Sequence, residues 1–474
     1  MRKYVPLSGI LWAFLADTKV DVSQPPVETL GALLPAGRLI TDPDAMDAYA
    51  RDQTYAAPGK PAAVVLARDT ADVVTVMKWA RQHLVPVVPR GAGTGLAGGA
   101  TATDGCVVLS LARMTAIQEI VPQDQLAVVE PGVITADLDR AAREHGLMYA
   151  PDPSSHEIST IGGNLATNAG GLRCVKYGVT RDSALGLEVV LAGGRVIRTG
   201  GRTVKGVTGY DLTGLFVGSE GTLGVITAAT VRLRPAPADA PVTVLASFGS
   251  LTAAGAAAAA IMGAGLRPSL LELIDRATLR AIDDYRRIDL DADTAAVIIA
   301  QTDGPECPAA ELVRHCEEAG AEFAAASTDE AEAAALLEVR RMAYPAAERL
   351  GNCLVEDVCV PRSRLPEMME RIERAAARHD VRVMTVAHAG DGNLHPLFVF
   401  DRGLTGPPPP VQAAADEIFT AAIELGGTLT GEHGVGVLKR PWLDGEFDPD
   451  TLAVHRQIKQ ALDPDGLLNP GKAI

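Results

Sequence analysis

The stretch VPVVPRGAGTGLAGGA, residues 85–100, sets five glycines directly behind an apolar run, with Arg90 at their entrance. Glycine loses more conformational freedom on folding than any other residue, so such density implies backbone that must approach something closely. Successive N–H groups in a loop of this kind form a nest for anionic oxygens. Arg90 can add charge-assisted bonds, which suits a pyrophosphate. Gly91, Gly93 and a later glycine fit G-x-G-x-x-G loosely, but GLAGGATATDG has no helical period and leads into the strand-like CVVLSL. A dinucleotide fingerprint opens directly into a helix, so the nicotinamide reading fails on context.

One such loop is explained as well by a tight connection as by binding. Two more follow, PDPSSHEISTIGGNLATNAGG (151–171) and GYDLTGLFVGSEGTLGVIT (209–227). Three together favour a bound cofactor, with Gly162, Gly163, Asn164, Thr167 and Asn168 available to the ring edges and ribityl hydroxyls of a flavin.

Around these loops the chain alternates. AAVVLA reads as a strand, TADVVTVMKWARQH as a helix capped by Thr70 with Val73, Val74, Met77 and Ala80 on one face, and VPVV as a strand again. LAVVEPG and TADLDRAAREHG repeat the pattern, the helix closed by Gly146, and LGLEVVLAGGRVIRTG reads as a hairpin turning at Gly193-Gly194. APADAP marks the main boundary. Beyond it the strands VTVLASF, AAVIIAQT, NCLVEDVCV and VRVMTVAH alternate with alanine-rich helices, among them the long DEAEAAALLEVRRMAYPAAERL, and GPPPP (406–410) reads as a rigid loop. At 474 residues the chain is too long for one core, and two to four domains are expected.

A formal net charge of −16 argues against a nucleic-acid partner. Six cysteines without a C-x-x-C pair indicate neither a disulfide framework nor an iron–sulfur cluster, and a reducing cytoplasm fits best. The N-terminus MRKYVPLSGILWAFLADTKVD has a basic start and a short apolar run, but no clean A-x-A-like site and well under the ~20 residues that span a bilayer. It reads as a surface extension over 1–25 or as a start codon placed too early.

In VAHAGDGNLHPLFVF (386–400), six residues containing two glycines separate His388 from His395, enough to turn the chain and bring both rings together across a hairpin. LTGEHGVGVLKRPWL (429–443) supplies Glu432 beside His433 in a glycine-flanked loop. Two imidazoles and one carboxylate make the ligand set of a catalytic zinc with an open position; iron(II) and manganese share that preference. His83, His145, His315, His379 and His455 read as ordinary side chains, and His156, inside a cofactor stretch, stays open.

With these motifs the sequence resembles the FAD-linked oxidases and dehydrogenases of the vanillyl-alcohol oxidase and p-cresol methylhydroxylase (PCMH) type, in the branch that holds D-lactate dehydrogenase, D-2-hydroxyglutarate dehydrogenase and the flavin-binding chain of glycolate oxidase. The resemblance covers nearly everything after residue 40. It implies an α+β fold, with a two-subdomain PCMH-type FAD-binding domain over 26–236 and an α+β cap domain with an antiparallel sheet and the metal site over 237–474. PRGAGTG then matches the pyrophosphate loop (Arg90, Gly91, Ala92, Gly93, Thr94, Gly95). The second stretch supplies Pro151, Asp152, Ser154, Ser155, Gly162, Gly163, Asn164, Thr167, Asn168, Gly170 and Gly171. The third supplies Glu220, Gly221, Gly224, Val225 and Ile226. Relatives with covalent flavin often carry a histidine in the first loop; none is there, so dissociable, non-covalent FAD is expected.

The resemblance also implies His388, His395 and Glu432 as metal ligands, His433 as the base, Asn393 as a polar contact near the substrate and Arg340 as the grip on a substrate carboxylate. Arginine's planar fork suits that role. Tyr344, one helical turn on, is expected to line the pocket, and Lys439 to add charge. The implied reaction is metal-assisted oxidation of a D-2-hydroxy acid of the glycolate, D-lactate or D-2-hydroxyglutarate class to the 2-oxo acid, with hydride passing to flavin N5. Electrons would leave to an electron-transfer flavoprotein, a quinone or an iron–sulfur subunit, from a cytoplasmic protein, peripheral to the inner membrane at most, that relatives suggest is a homodimer. The rivals are a flavin subunit of a larger glycolate-oxidase-type complex with little activity alone, and a flavin-free metal hydrolase, against which the glycine loops argue.

Overall fold

The computed structural model describes residues 26–474 apart from 239, 289, 290 and 292; the extension expected over 1–25 lies outside the described residues. In the first sheet Ala63–Leu66, Val107–Ser110 and Val87–Arg90 run parallel, with Leu39–Ile40 antiparallel at the edge. Parallel strands are covered on both faces, which is why Ala63–Leu66 and Val107–Ser110 are apolar and buried almost throughout. Val65 and Leu109 feed one core and Val64 and Val108 another on the opposite face. The helix Thr70–His83 packs on the first of these. Its cap is Asp69, which accepts from the Asp72 N–H, and not Thr70, whose hydroxyl donates to Glu188.

The second sheet is antiparallel, in the order Ile117–Val121, Leu126–Val129, Val225–Arg232, Ala184–Val190, Val196–Gly200. Its last two strands form the expected hairpin, with Gly194 at φ +76° in the turn. The second glycine stretch holds a helix where a loop was expected: Ile161–Thr167, capped by Thr160, whose hydroxyl accepts from the Gly163 N–H. Its paired glycines hide a helical period.

From Val242 onward the chain builds an eight-stranded antiparallel sheet whose central strands are Leu270–Asp275, Arg382–His388 and Asn393–Phe400, with Asn352–Val355 at one edge. Alternation along each strand sends Leu273, Ala387, Leu394 and Phe398 to one face, under Leu251–Gly263, Leu365–His379 and Pro409–Glu424. Leu270, Ile274, Val386 and Leu397 go to the other, against Arg276–Tyr285 and Ala343–Leu350. That second face also carries the histidines.

Two helical readings change. The long helix is two, Glu330–Arg341 and Ala343–Leu350, because Pro345 has no N–H to bond the Arg341 carbonyl. Of the proline run, Pro409 and Pro410 form the first turn of Pro409–Glu424, where a missing N–H costs nothing. The end of the chain also leaves the eight-stranded unit: Ile458 and Leu462 pack on the core of the second sheet, Leu468 bridges to Val87, and Asn469 donates its N–H to the Val87 carbonyl.

Candidate active site

A cavity of ≈ 570 Å³ lies between the first two sheets and the histidine-bearing face of the third. All three glycine stretches reach it. Residues 91–95 line one wall, and among the described residues none of their five backbone N–H groups has a protein acceptor. Such an unsatisfied row belongs on an anion, so the loop fits a pyrophosphate. Arg90 also lines the cavity, but its guanidinium folds under Gly93 and Nη1 donates to the Arg51 carbonyl at 2.6 Å. It braces the loop from behind. Gly162 is required because a Cβ there would meet Pro131 at 2.5 Å.

The second and third stretches contribute Asp152, Ser154, Ser155, Gly162, Gly163, Asn164, Thr167, Gly170, Glu220, Gly221, Gly224, Val225 and Ile226 to the wall, and His156 joins them. Three expected contacts are elsewhere. Pro151 and Gly171 do not line the cavity, and Asn168 caps its helix at φ +54°, its side-chain oxygen accepting from the Arg181 N–H. Glu220 lines the wall, but both its oxygens accept backbone N–H groups, from Val435 and Gly436 at 2.8 Å each. It ties the flavin side to the loop after His433.

Opposite, register places the metal-type ligands. Val386 pairs with His395 and His388 with Asn393, so the imidazoles are diagonal neighbours on one face, ring centroids 5.0 Å apart. Glu432 Oε1 lies 3.4 Å from His388 Nε2 and 3.3 Å from His395 Nε2. A tetrahedral ion with bonds of about 2.1 Å has ligand–ligand edges of about 3.4 Å, which both distances from Glu432 match. Burial alone would push the His388 imidazole down, yet Glu272 and Glu432 outweigh it and hold it well above its ordinary value. Burial would likewise raise Glu432, but His388 and His395 hold it well below the carboxylate range. A site that concentrates negative charge around two imidazoles, with one ligand atom each from His388, His395 and Glu432 gathered together, is suited to a divalent cation.

Two buried carboxylates organise this set, and sequence reasoning missed both. Glu272, directly across the ladder from His388, accepts from its Nδ1–H at 2.7 Å and from Arg340 Nε at 2.8 Å. A carboxylate behind a ligating imidazole fixes ring and tautomer. Glu272→Gln is therefore expected to weaken divalent-metal affinity about 10–100-fold, measured by competition with a chelator, with flavin content unchanged. Asp357, fully buried, receives the N–H groups of Glu432 and His433 at 3.0 Å each and the Thr430 hydroxyl at 2.6 Å. Burial opposes its ionisation, but His433, Lys439 and His395 lower it below the ordinary value.

Asn393 differs from expectation: its amide donates to Asp357 and to the Val358 carbonyl, and it does not line the cavity. Lys439 also faces away, its Nζ donating to the carbonyls of Asp357 and Leu429. Both hold the Glu432 loop. His433 does line the cavity, stacked on His395 at 5.0 Å and 19°, with its Nδ1 unpartnered; burial pushes it down to about 4. Arg340 reaches the cavity from the helix end with its Nη edge unpaired among the described residues, and Tyr344, past the helix break, also lines it while half-exposed.

Residues 238–473 match the family model described as FAD linked oxidases, C-terminal domain, and residues 61–200 the one described as FAD binding domain. The glycolate oxidase subunit GlcD of Bacillus subtilis is 44% identical over 92% of each chain. A D-lactate dehydrogenase of Archaeoglobus fulgidus is 36% identical over 90% of this chain and 96% of its own. Among solved structures, 4-ethylphenol oxidase from Gulosibacter chungangensis and substrate-bound p-cresol methylhydroxylase each superpose with a TM-score of 0.75 at 19% identity, over 94% of this chain and 96% of theirs. These two bear out the expected α+β architecture, a PCMH-type FAD-binding domain followed by a C-terminal domain.

Proposed function

Since the chain belongs to the FAD-linked oxidases and dehydrogenases, we propose that it oxidises a D-2-hydroxy acid to the 2-oxo acid with non-covalent FAD and a divalent metal, zinc first and iron(II) or manganese next. One observation carries this reading. Glu432 points Oε1 at the two imidazoles, while its Oε2 lies where a Cβ on Gly170 would come within 2.3 Å. The would-be metal ligand thus sits against the flavin stretch itself. We place the domain boundary near 237, with Ile458 and Leu462 of the last helix packing on the flavin side.

His388, His395 and Glu432 would hold the metal, and the glycine loops the FAD. Bound there, the metal would acidify the substrate hydroxyl and the flavin accept hydride from the adjacent carbon. The chain's own part is orientation and proton transfer. Arg340, steadied by Glu272 through Nε, offers its Nη edge to the carboxylate and so fixes which face of the α-carbon meets the flavin. His433, which lines the cavity, takes the hydroxyl proton on a ring nitrogen. The fit of His388 to Glu272 couples the carboxylate grip and the metal ligand through one side chain. Electrons leave to an external acceptor, an electron-transfer flavoprotein, quinone or iron–sulfur subunit.

The test is direct: purified protein should be yellow, release FAD on denaturation and reduce a dye with D- but not L-2-hydroxy acids. Colourless protein that FAD cannot reconstitute, or strict preference for the L-series, overturns the reading. A second reading is favoured by Val204, Val207 and Tyr210, each more than 90% exposed on the loop before Leu212–Phe216. They suit a flavin subunit built into a larger complex, and dye turnover by the isolated chain separates the two. No helix among the described residues is long and apolar enough to cross a membrane.

A further inference from the structure

The wall beside the two histidines is apolar in a way the reaction itself does not require. Leu397 pairs with Val355 across one ladder, and Val386 pairs with His395 across the next. Directly paired residues point to the same face, and residues two apart along a strand do too, so Val355, Leu397 and Val386 adjoin His388 and His395 on the cavity side. All three line the cavity. They belong to the third sheet, opposite the glycine loops, and so on the substrate's side of a bound flavin.

Among the described residues no lysine lines the cavity, and its arginines are Arg340, Arg341 and Arg90, the last folded under Gly93. Arg340 gives its Nε to Glu272, leaving one Nη edge, enough for one carboxylate. Arg341 lines the cavity but is exposed, and adjacent helical residues do not share a face. Lys439 is held behind Asp357. A second carboxylate laid on two valines and a leucine would lose its water without gaining a partner, whereas a methyl or methylene there is removed from water at a gain.

Building on the function proposed above, we propose that Val355, Val386 and Leu397 form the subsite for the C2 substituent of the substrate, so that the enzyme selects 2-hydroxy monocarboxylates with a short aliphatic side chain over glycolate, which has none, and over dicarboxylates. Specificity is the ratio of kcat/KM values, and each methylene buried is worth about 4-fold at ~0.8 kcal/mol.

The experiment measures kcat/KM on the FAD-loaded, metal-loaded enzyme with a dye acceptor for glycolate, D-lactate, D-2-hydroxybutyrate, D-malate and D-2-hydroxyglutarate. It should rise about 4-fold per added carbon from glycolate to D-2-hydroxybutyrate, and D-2-hydroxyglutarate should fall at least about 10-fold below D-2-hydroxybutyrate. Val355→Lys should raise the ratio of D-2-hydroxyglutarate to D-2-hydroxybutyrate about 10-fold or more. Should that variant lose its flavin, the milder Val355→Thr should flatten the dependence on chain length. Glycolate or a dicarboxylate as the preferred substrate, or a chain-length series that Val355→Thr leaves unmoved, overturns this subsite while sparing the reaction. Failure with every 2-hydroxy acid instead overturns the reaction.

Discussion

Replacing His388 with alanine is expected to strip the metal from the protein and to lower kcat about a thousand-fold or more, with the flavin retained. His388 is buried and joins two parts of the site: its Nε2 faces Glu432 and its Nδ1 meets Glu272. Without it only His395 and Glu432 remain, one short of the three protein ligands a catalytic centre of this kind uses. Polarisation of a substrate oxygen by such an ion contributes several kcal/mol at the transition state, and each 1.36 kcal/mol is tenfold in rate. The glycine loops lie on the opposite wall, so FAD absorbance should be unchanged. Metal per chain after dialysis, read together with dye-coupled turnover, decides the matter. A variant that keeps wild-type kcat would remove the metal from the mechanism.

The second large effect concerns His433. Its backbone N–H is anchored to Asp357, its ring stacks on His395, and its buried Nδ1 has no partner. His433→Gln keeps a polar side chain of similar reach but removes the base, so kcat should fall about 10²–10⁴-fold while metal and FAD contents stay at wild-type levels. That combination distinguishes it from His388→Ala, where metal and rate fall together. Equal loss of metal in both variants would make His433 a ligand and not a base.

The parts of the site legible in the sequence were those written in short motifs. The glycine loop at 91–95 and the His388–His395 hairpin each carry their own turn residues, so local chemistry points to them. Glu272 and Asp357 have no such neighbours. A faint signal existed: Glu272 lies within LLELID and Asp357 within NCLVEDVCV, and a carboxylate inside an apolar strand must find a partner when buried. Which partner depends on strand order, which no local pattern contains. Asn393 and Lys439 were assigned to the substrate for the converse reason. Neither the resemblance that implied Asn393 nor the closeness of Lys439 to His433 fixes the face a side chain takes, and both turn toward Asp357. The proline run and the glycines of Ile161–Thr167 failed more simply, because residues that punctuate loops also fit the first turn of a helix.

The return of the chain to Val87 has a consequence for biosynthesis. Asn469 reaches back 370 positions to the Gly99 carbonyl and also caps that of Glu220, while Lys472 holds that of Thr101. The backing of the first glycine loop is therefore made by residues that leave the ribosome only after the entire eight-stranded unit. During translation the nascent first half lacks this brace, and contacts so distant in sequence form slowly.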